Sequence, residues 1–493
     1  MDVQVAIIGT GFTGIGAAIR LQQQGITDVV LLERAGALGG TWRDNDYPGC
    51  ACDVPSRLYS FSFAQNAAWS RRFSAQPEIQ SYLERVADQQ AIRPRIRFHH
   101  ALQSAQWDDA AQRWHVVTSG GRYTARVLVL ATGALSDAST PAIDGLSDFA
   151  GPVFHSSQWR HDASLAGQRV AVIGTGASAI QFVPAIQPTV GTLTLFQRTP
   201  PWIVPRHDRA ISAIERAAYR TIPGLQQLVR AAIYALREIT FLPFRHAVLR
   251  RLASRMASHH LQQQVSDPVL RAKLTPDYGI GCKRILVSDN YYPAVSQSNV
   301  HVETAAITRV VRDGIVTVDG VTHPADVIIL GTGFRPTDPP LAPFITGRDA
   351  RTLASVWRET LTAYNSTTVA GFPNLFVIPG PNAGLGHTSM IYMIESQIAH
   401  LVNALTHMTR TGTAAIEPRP DAQDAYVRHV DAKMRDTVWV QGGCASWYLD
   451  RSGRNSTLWP DFTWRFRRRV SRFDPRAYVM TPHRSSSPAP TVP

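Results

Sequence analysis

The chain is 493 residues long, enough for two or three domains at roughly 150 residues each, and its 44% hydrophobic and 18% charged residues exclude a disordered protein. Fifty Lys and Arg against 37 Asp and Glu leave a net charge of +13, which calls for an anionic partner or ligand. No run approaches the roughly 20 apolar residues of a membrane span, and four cysteines in so long a chain exclude a disulfide scaffold. Cys50, Cys52, Cys282 and Cys444 also lack the paired spacing of a zinc site, so no metal is expected. Met1 leads straight into strand-like residues with no signal peptide, and a reducing, soluble, cytoplasmic enzyme is the expectation.

In chain order, VQVAIIGTGFTGIGAAIRL (3–21) predicts a strand, a glycine turn and a helix. Gly9 permits the tight turn, Gly11 lets the backbone approach a pyrophosphate, and Gly14 lets the helix close on the strand. The helix N-terminus then offers N–H donors to phosphate. The next strand, DVVLLE, ends in Glu33, placed to accept hydrogen bonds from ribose hydroxyls and to repel a 2′-phosphate. This site wants FAD or NAD. A second apolar strand, ARVLVLATG (125–133), closes the unit.

The plan repeats at QRVAVIGTGASAIQFVPAI (168–186), with Gly174, Thr175, Gly176, Ala177 and Ser178 in the turn and Ala179 in place of the third glycine. Its following strand, TLTLFQRT, ends in Gln197, Arg198 and Thr199 where the first unit has its acid. A guanidinium at Arg198 can grip a 2′-phosphate, with the Thr199 hydroxyl as a further donor, so this site prefers NADP(H). ADVIILGTGF (325–334) closes the second unit. An FAD-type and an NADP-type site in one chain imply hydride transfer from NADPH to flavin. Disulfide reductases of this plan space their redox cysteines by two or four residues, whereas one residue separates Cys50 from Cys52, which leaves oxygen as the common acceptor.

Residues 208–264 predict helices, punctuated by Pro223 and Pro243, with apolar faces opposed by Arg and His. A membrane-surface helix stays open; an insertion packed on the second domain through its apolar faces is expected. The basic run Arg465 to Arg472 predicts a solvated helix face, with no nucleic-acid fold around it. GPNAGLGHTS (380–389) opens a helix whose turn would set N–H groups near the flavin ring, with His387 a packed histidine or a base. The fold class is α/β: two dinucleotide-binding (Rossmann-like) domains with a helical insertion in the second. The FAD part covers 1–140 and 371–480, the NADP part 141–370 with its insertion at about 208–270, and 481–493 is a disordered Pro/Ser-rich tail.

The stretch FAGPVFHSSQW, with Phe149, Gly151, His155 and Trp159, resembles the fingerprint of the Baeyer–Villiger monooxygenases. Arg160 stands where that fingerprint continues with Pro or Asp, and a basic residue there also occurs in flavin monooxygenases that oxidise amines and sulfides. Gly39, Gly40, Thr41 and Trp42, then Asn45 to Gly49 and Asp53 to Tyr59, resemble the family segment that wraps the flavin, and Phe12 and Leu102 belong to the same FAD-contacting set. Lys283 and Arg284, between TPDYGIGC and ILVSDNYYPAV, resemble the segment of the catalytic arginine. Ser446, Trp447 and Tyr448 resemble one whose tryptophan contacts the nicotinamide nucleotide. The resemblance runs from about residue 3 to residue 460.

It implies an enzyme that uses FAD, NADPH and O2 to insert one oxygen atom beside a ketone carbonyl through a C4a-peroxyflavin, giving an ester or lactone. In that scheme Arg284 supplies a permanent positive charge beside the peroxide, Asp53 orients it, and Lys283 joins Arg198 on the 2′-phosphate. The fingerprint couples domain motion to cofactor binding. Linear, cyclic, aromatic and steroid-like ketones all fit these motifs. The alternatives are a monooxygenase of sulfides or amines, an oxidase or quinone reductase without oxygen transfer, and a non-enzymatic nucleotide sensor.

Overall fold

The computed structural model describes residues 1–444 and 446–482. Strand β1 (Asp2–Ile8) is apolar almost throughout because it is central. It runs parallel to β2 (Val29–Leu32) on one side and β6 (Gly121–Leu130) on the other, with Ile8 in register with Leu32 and Leu130. Helix α1 (Phe12–Gln23) starts immediately past the glycine turn. Between β2 and β6 the chain adds β3 (Ile96–Arg97), beside β2, and the antiparallel β4 (Leu102–Asp108) and β5 (Arg113–Thr118), so the three strands β4 to β6 form a meander on one edge.

The second unit repeats the device. Strands β7 (Val153–His155), β8 (Arg169–Ile173), β9 (Thr192–Phe196), β10 (Val300–Glu303) and β11 (Val327–Leu330) form a parallel sheet in the order β10-β9-β8-β11-β7. Ile173 is in register with Phe196 and Leu330, and Leu330 with His155, so four strands end at one level. Helix α2 (Ala179–Ile186) follows the turn after β8. Ends aligned in this way leave a crevice at the carboxyl edge of each sheet, where parallel α/β proteins bind ligands.

Helices α3 (Ala213–Thr221), α4 (Leu225–Ile239), α5 (Leu242–Arg245) and α6 (Ala247–Gln264) make the insertion. The chain later rejoins the first sheet as β12 (Ile345–Thr346), paired with β4, and β13 (Leu375–Val377), paired with β6. Helix α7 (Met390–Thr411) crosses α1 at Gly16, where a Cβ would sit 2.7 Å from the Phe61 ring and 3.2 Å from Ile398. Helix α8 (Thr463–Val470) packs on α7.

The expectation that the insertion packs through its apolar faces is corrected for α4. This helix buries polar side chains: Arg230 and Glu238 are 9% and 7% exposed, while Leu228, Leu236 and Ile239 face solvent. The partners decide the orientation. Arg230 donates to the Arg57 carbonyl at 2.6 Å, and Glu238 accepts from the Thr463 amide at 3.0 Å. Buried charge survives only with such partners, and both come from the first unit and α8 rather than from the second sheet. Thr481 and Pro482 close a strand, Tyr478–Pro482, and the rest of the expected tail lies outside the described residues. Among the described residues no helix is long and apolar enough to cross a membrane.

Candidate functional site

The two glycine turns are built alike. Gly9 and Gly174 both have φ +107°, a conformation that favours glycine. A Cβ on Gly9 would lie 2.7 Å from the Ala131 carbonyl oxygen, and one on Gly174 2.5 Å from that of Gly331. The closing strands predicted at 125–133 and 325–334 therefore press on the turns directly. Gly14 is the closest contact, its Cβ position only 2.0 Å from the Gly9 oxygen, so helix and strand meet without room for a side chain. At Gly11 and Gly176 the situation reverses. The nearest atoms to a Cβ there are 3.8 Å and 3.9 Å away, and the space is open on the outer side of each turn. An open cradle over a helix N-terminus fits a pyrophosphate at both sites.

Around the first cradle, Gly40 faces Gly11 across 3.2 Å from its own Cβ position, and Gly39 donates to the Thr10 carbonyl at 3.0 Å. Phe12 and Trp42 lie edge-on to Tyr59, whose hydroxyl accepts from the Trp42 indole at 3.1 Å. Thr41 is exposed at the start of the short helix Thr41–Asp44. Glu33 follows β2 directly and is buried. It accepts from the Thr10 amide and hydroxyl at 3.1 and 2.6 Å and meets Arg43 at 3.0 Å, which fixes its carboxylate beside the turn. Leu102 opens β4, half-buried, two residues beyond His100, whose amide donates to the Glu33 carbonyl at 2.8 Å.

Around the second cradle, Thr175 donates to the Thr199 carbonyl at 3.2 Å, which ties the turn to the end of β9. Ala177 and Arg198 are exposed, and Ser178 precedes α2. Lys283 stands near enough to Arg198 for the two charges to repel: burial and then Arg198 hold the lysine below its ordinary pKa. The ammonium lies over the Tyr278 ring at 4.9 Å. Among the described residues neither cation forms a salt bridge, an arrangement suited to an anion between them.

Arg284 and Asp53 meet although 231 residues separate them: the guanidinium donates from Nε at 3.1 Å and from Nη2 to the same carboxylate oxygen. Each side is pinned. Ala51 exchanges two hydrogen bonds with the Gln181 amide of α2, at 3.2 and 3.0 Å. Arg284 precedes Leu286–Val287, which pairs with Ile203–Val204. Asp53 raises the Arg284 pKa against the opposing effect of burial. Burial also disfavours the Asp53 charge, but Arg284 outweighs it and holds the carboxyl below its usual range. The side chains are 39% and 26% exposed, so the pair remains open to a ligand.

A family profile for pyridine nucleotide-disulphide oxidoreductases matches residues 6–216. A Baeyer–Villiger monooxygenase of Streptomyces coelicolor is 52% identical over 478 residues, covering 97% of this chain and 92% of the relative. One of Pseudomonas aeruginosa is 50% identical over 97% of this chain and 91% of its own length. The chain belongs to the Baeyer–Villiger monooxygenases. The NADP+-bound cyclohexanone monooxygenase of Rhodococcus sp. Phi1 superposes with a TM-score of 0.88 at 28% identity, covering 98% of this chain and 100% of that one.

The fingerprint of Baeyer–Villiger monooxygenases sits at a joint between the two units. Trp159 packs on Phe154, on Phe182 of α2 and on Tyr47 of the first unit, at ring distances of 5.2, 5.4 and 6.5 Å. A Cβ on Gly151 would strike the Asp326 oxygen at 2.0 Å, and Phe149 fills a core beneath the second sheet. His155, its pKa lowered by burial, accepts from the Ser157 amide at 3.1 Å and meets Phe334 edge-on. Arg160 pairs with Asp162 in full solvent. His387 is a packed histidine, buried against Phe241 with Glu238 at 3.5 Å.

Trp447 is 42% exposed and lies against Tyr448 with the rings tilted by 52° and their centroids 4.4 Å apart; Tyr448 is buried near Arg284, and burial pushes its pKa up to about 12. Sequence reasoning gave no role to Tyr448, Gln181 or Arg237, a second cation near Asp53. Of these only Tyr448 had a signal, its place beside Trp447. The reducing expectation for the cysteines is corrected for one pair, since Cys282 and Cys444 form a disulfide across 162 residues. That bridge joins the Lys283–Arg284 segment to the one bearing Trp447. Cys50 and Cys52 are free and buried; burial pushes Cys50 up to about 12 and Cys52 higher still. Iodoacetamide at mildly alkaline pH is expected to leave both unlabelled in the native protein and to label both after denaturation, read by peptide mass; rapid native labelling would contradict their burial.

Proposed function

We propose that this chain takes hydride from NADPH onto a bound FAD and uses O2 to insert one oxygen atom beside a ketone carbonyl, giving an ester or lactone, while the second oxygen atom leaves as water. The observation that carries this reading is the Arg284–Asp53 pair, a permanent cation fixed beside the two nucleotide cradles yet open to a ligand. The name of the Streptomyces relative and the NADP+ in the Rhodococcus structure support it, as does a third neighbour, whose structure is a complex with both FAD and NADP. When bound, the flavin supplies the redox chemistry that activates oxygen.

The chain's own residues do the rest. The first sheet with its helices holds FAD at Gly9, Gly11, Gly14 and Gly40, with Phe12, Trp42 and Tyr59 as its aromatic wall and Glu33 beside the ribose. The second sheet holds NADPH at Gly174 to Ser178, with Arg198, Thr199 and Lys283 on the 2′-phosphate and Trp447 on the nicotinamide side. Asp53 presents the Arg284 guanidinium, which stabilises negative charge on the attacking oxygen and keeps its charge at any working pH. Trp159 and His155 transmit the relative position of the two units. The substrates are a small-molecule ketone and O2, and the demand for NADPH fits a cytoplasmic setting.

The test is product analysis with labelled oxygen over linear, cyclic and steroid-like ketones. An ester carrying one labelled atom is expected; NADPH consumption with no oxygenated product would refute the reading. The cofactor choice has its own check. Arg198→Ala is expected to raise the KM for NADPH by about 10- to 100-fold, the worth of a charge-assisted contact, and to leave the KM for NADH and kcat nearly unchanged. Equal losses with both nucleotides would place Arg198 elsewhere.

A further inference from the structure

Helix α4 turns its apolar stripe away from the protein. Leu228, Leu236 and Ile239 are 68%, 66% and 59% exposed, and Ala231, Ala232 and Ala235 between them are exposed too. A helix on an aqueous surface buries that stripe in the core; one that presents it has another apolar phase to meet. The pattern recurs on α6, where Val248, Leu252 and Met256 are exposed at helical spacing with Arg251 and Arg255 beside them. Across residues 213–264 there are eight arginines, of which Arg230 is buried and Arg237 lies near Asp53, and two glutamates. Glu238 is buried, and Glu215 is held by Arg209 at 2.8 Å. These helices therefore offer no free carboxylate to the outside.

A second feature adjoins the first. Thr463, the opening residue of α8, contacts both Glu238 and Tyr234 of α4, at 3.0 and 3.1 Å. Arg467 lies over the Tyr392 ring, which stacks on Tyr234. The flank of α8 beside α4 thus carries Trp464, 43% exposed, with exposed Arg467 and Arg468.

We propose that the outer faces of α4 and α6, with the adjoining flank of α8, dock on a bilayer containing anionic phospholipid. The leucines, Ile239 and Trp464 enter the interfacial layer, where a tryptophan is at home, and the arginines meet lipid phosphates. The charge selects this occupant. A second copy of the chain would set arginine against arginine across the interface, and a free polyanion would leave the leucines in water.

The test is co-sedimentation of the FAD-loaded full chain with vesicles of phosphatidylcholine alone or with about one third phosphatidylglycerol. Binding to the second alone, weakened by salt, is expected. Leu228→Gln, Leu236→Gln and Ile239→Gln together should lower it more than about a hundredfold. Arg467→Gln with Arg468→Gln should cost about fivefold per arginine. Both variants should oxidise NADPH as the parent does in vesicle-free buffer. No binding to anionic vesicles, or unchanged binding by the triple variant, would overturn the proposal. So would a dimer of the parent that the triple variant splits into monomers, since the apolar face would then belong to a second copy.

Discussion

Replacing Arg284 with alanine is expected to lower ester formation by about 10²- to 10³-fold, the usual loss when a preorganised charge is removed from a reacting oxygen, while NADPH still reduces the flavin. The geometry makes this loss larger than that of a lone cation. Asp53 stays behind as a carboxylate whose partner has gone, and its negative charge then faces the place where negative charge must gather. Arg284→Lys should fall between parent and alanine. It keeps the charge, but not the two donors, Nε at 3.1 Å and Nη2, that converge on one Asp53 oxygen. Stopped-flow reduction and product analysis on the same samples separate the two half-reactions. If reduction fell in step with ester formation, Arg284 would be serving nucleotide binding instead. The pH profile adds a signed check. Asp53 is held below its ordinary pKa and Arg284 above its own. The ion pair, and any stability it adds, is therefore intact through neutral and alkaline pH. It is lost only as the pH falls through the lowered Asp53 pKa, below about 3.9.

Both nucleotide cradles were legible in the chain because their constraints are local. A strand, a turn and a helix within 20 residues need glycine at fixed positions, and Gly9, Gly14 and Gly174 are where the backbone leaves no space. The meeting of Arg284 with Asp53 is not local and came from the family resemblance of the two segments. Helix α4 shows where pattern reading stops. The period of LQQLVRAAIYALREI says which residues share a face, but not which face looks inward. That is decided by partners hundreds of residues away, the Arg57 carbonyl for Arg230 and the Thr463 amide for Glu238, which make the polar face the one worth burying. The Cys282–Cys444 bridge was hidden for the same reason, since only the folded chain brings the arginine segment to the C-terminal one.

Gly14→Ala and Gly11→Ala should fail in different ways, although the two glycines are three residues apart in one motif. At Gly14 the added methyl carbon would sit 2.0 Å from the Gly9 oxygen and 3.0 Å from the Gly9 carbonyl carbon, both backbone atoms of a turn already pressed against Ala131. Neither can yield, so α1 must lift from β1. Overpacking of this kind costs about 1–3 kcal/mol or more, seen as a melting temperature lower by about 1–3 °C or more even for the flavin-free protein. At Gly11 the same methyl finds nothing within 3.8 Å, and φ is −77°, an ordinary value for alanine. The flavin-free Gly11→Ala protein should be as stable as the parent, or more so by about 0.4–1 kcal/mol, because alanine loses less chain entropy on folding. Its affinity for FAD should nevertheless drop by about 10- to 100-fold, since the methyl occupies the space into which a pyrophosphate fits. Gly176→Ala, with its nearest atom at 3.9 Å, should do the same for NADPH while FAD loads normally. Melting curves of the stripped proteins, flavin content after reconstitution and the KM for NADPH distinguish the three. A Gly11→Ala protein that loads FAD as well as the parent would show that the open cradle is not where the pyrophosphate lies.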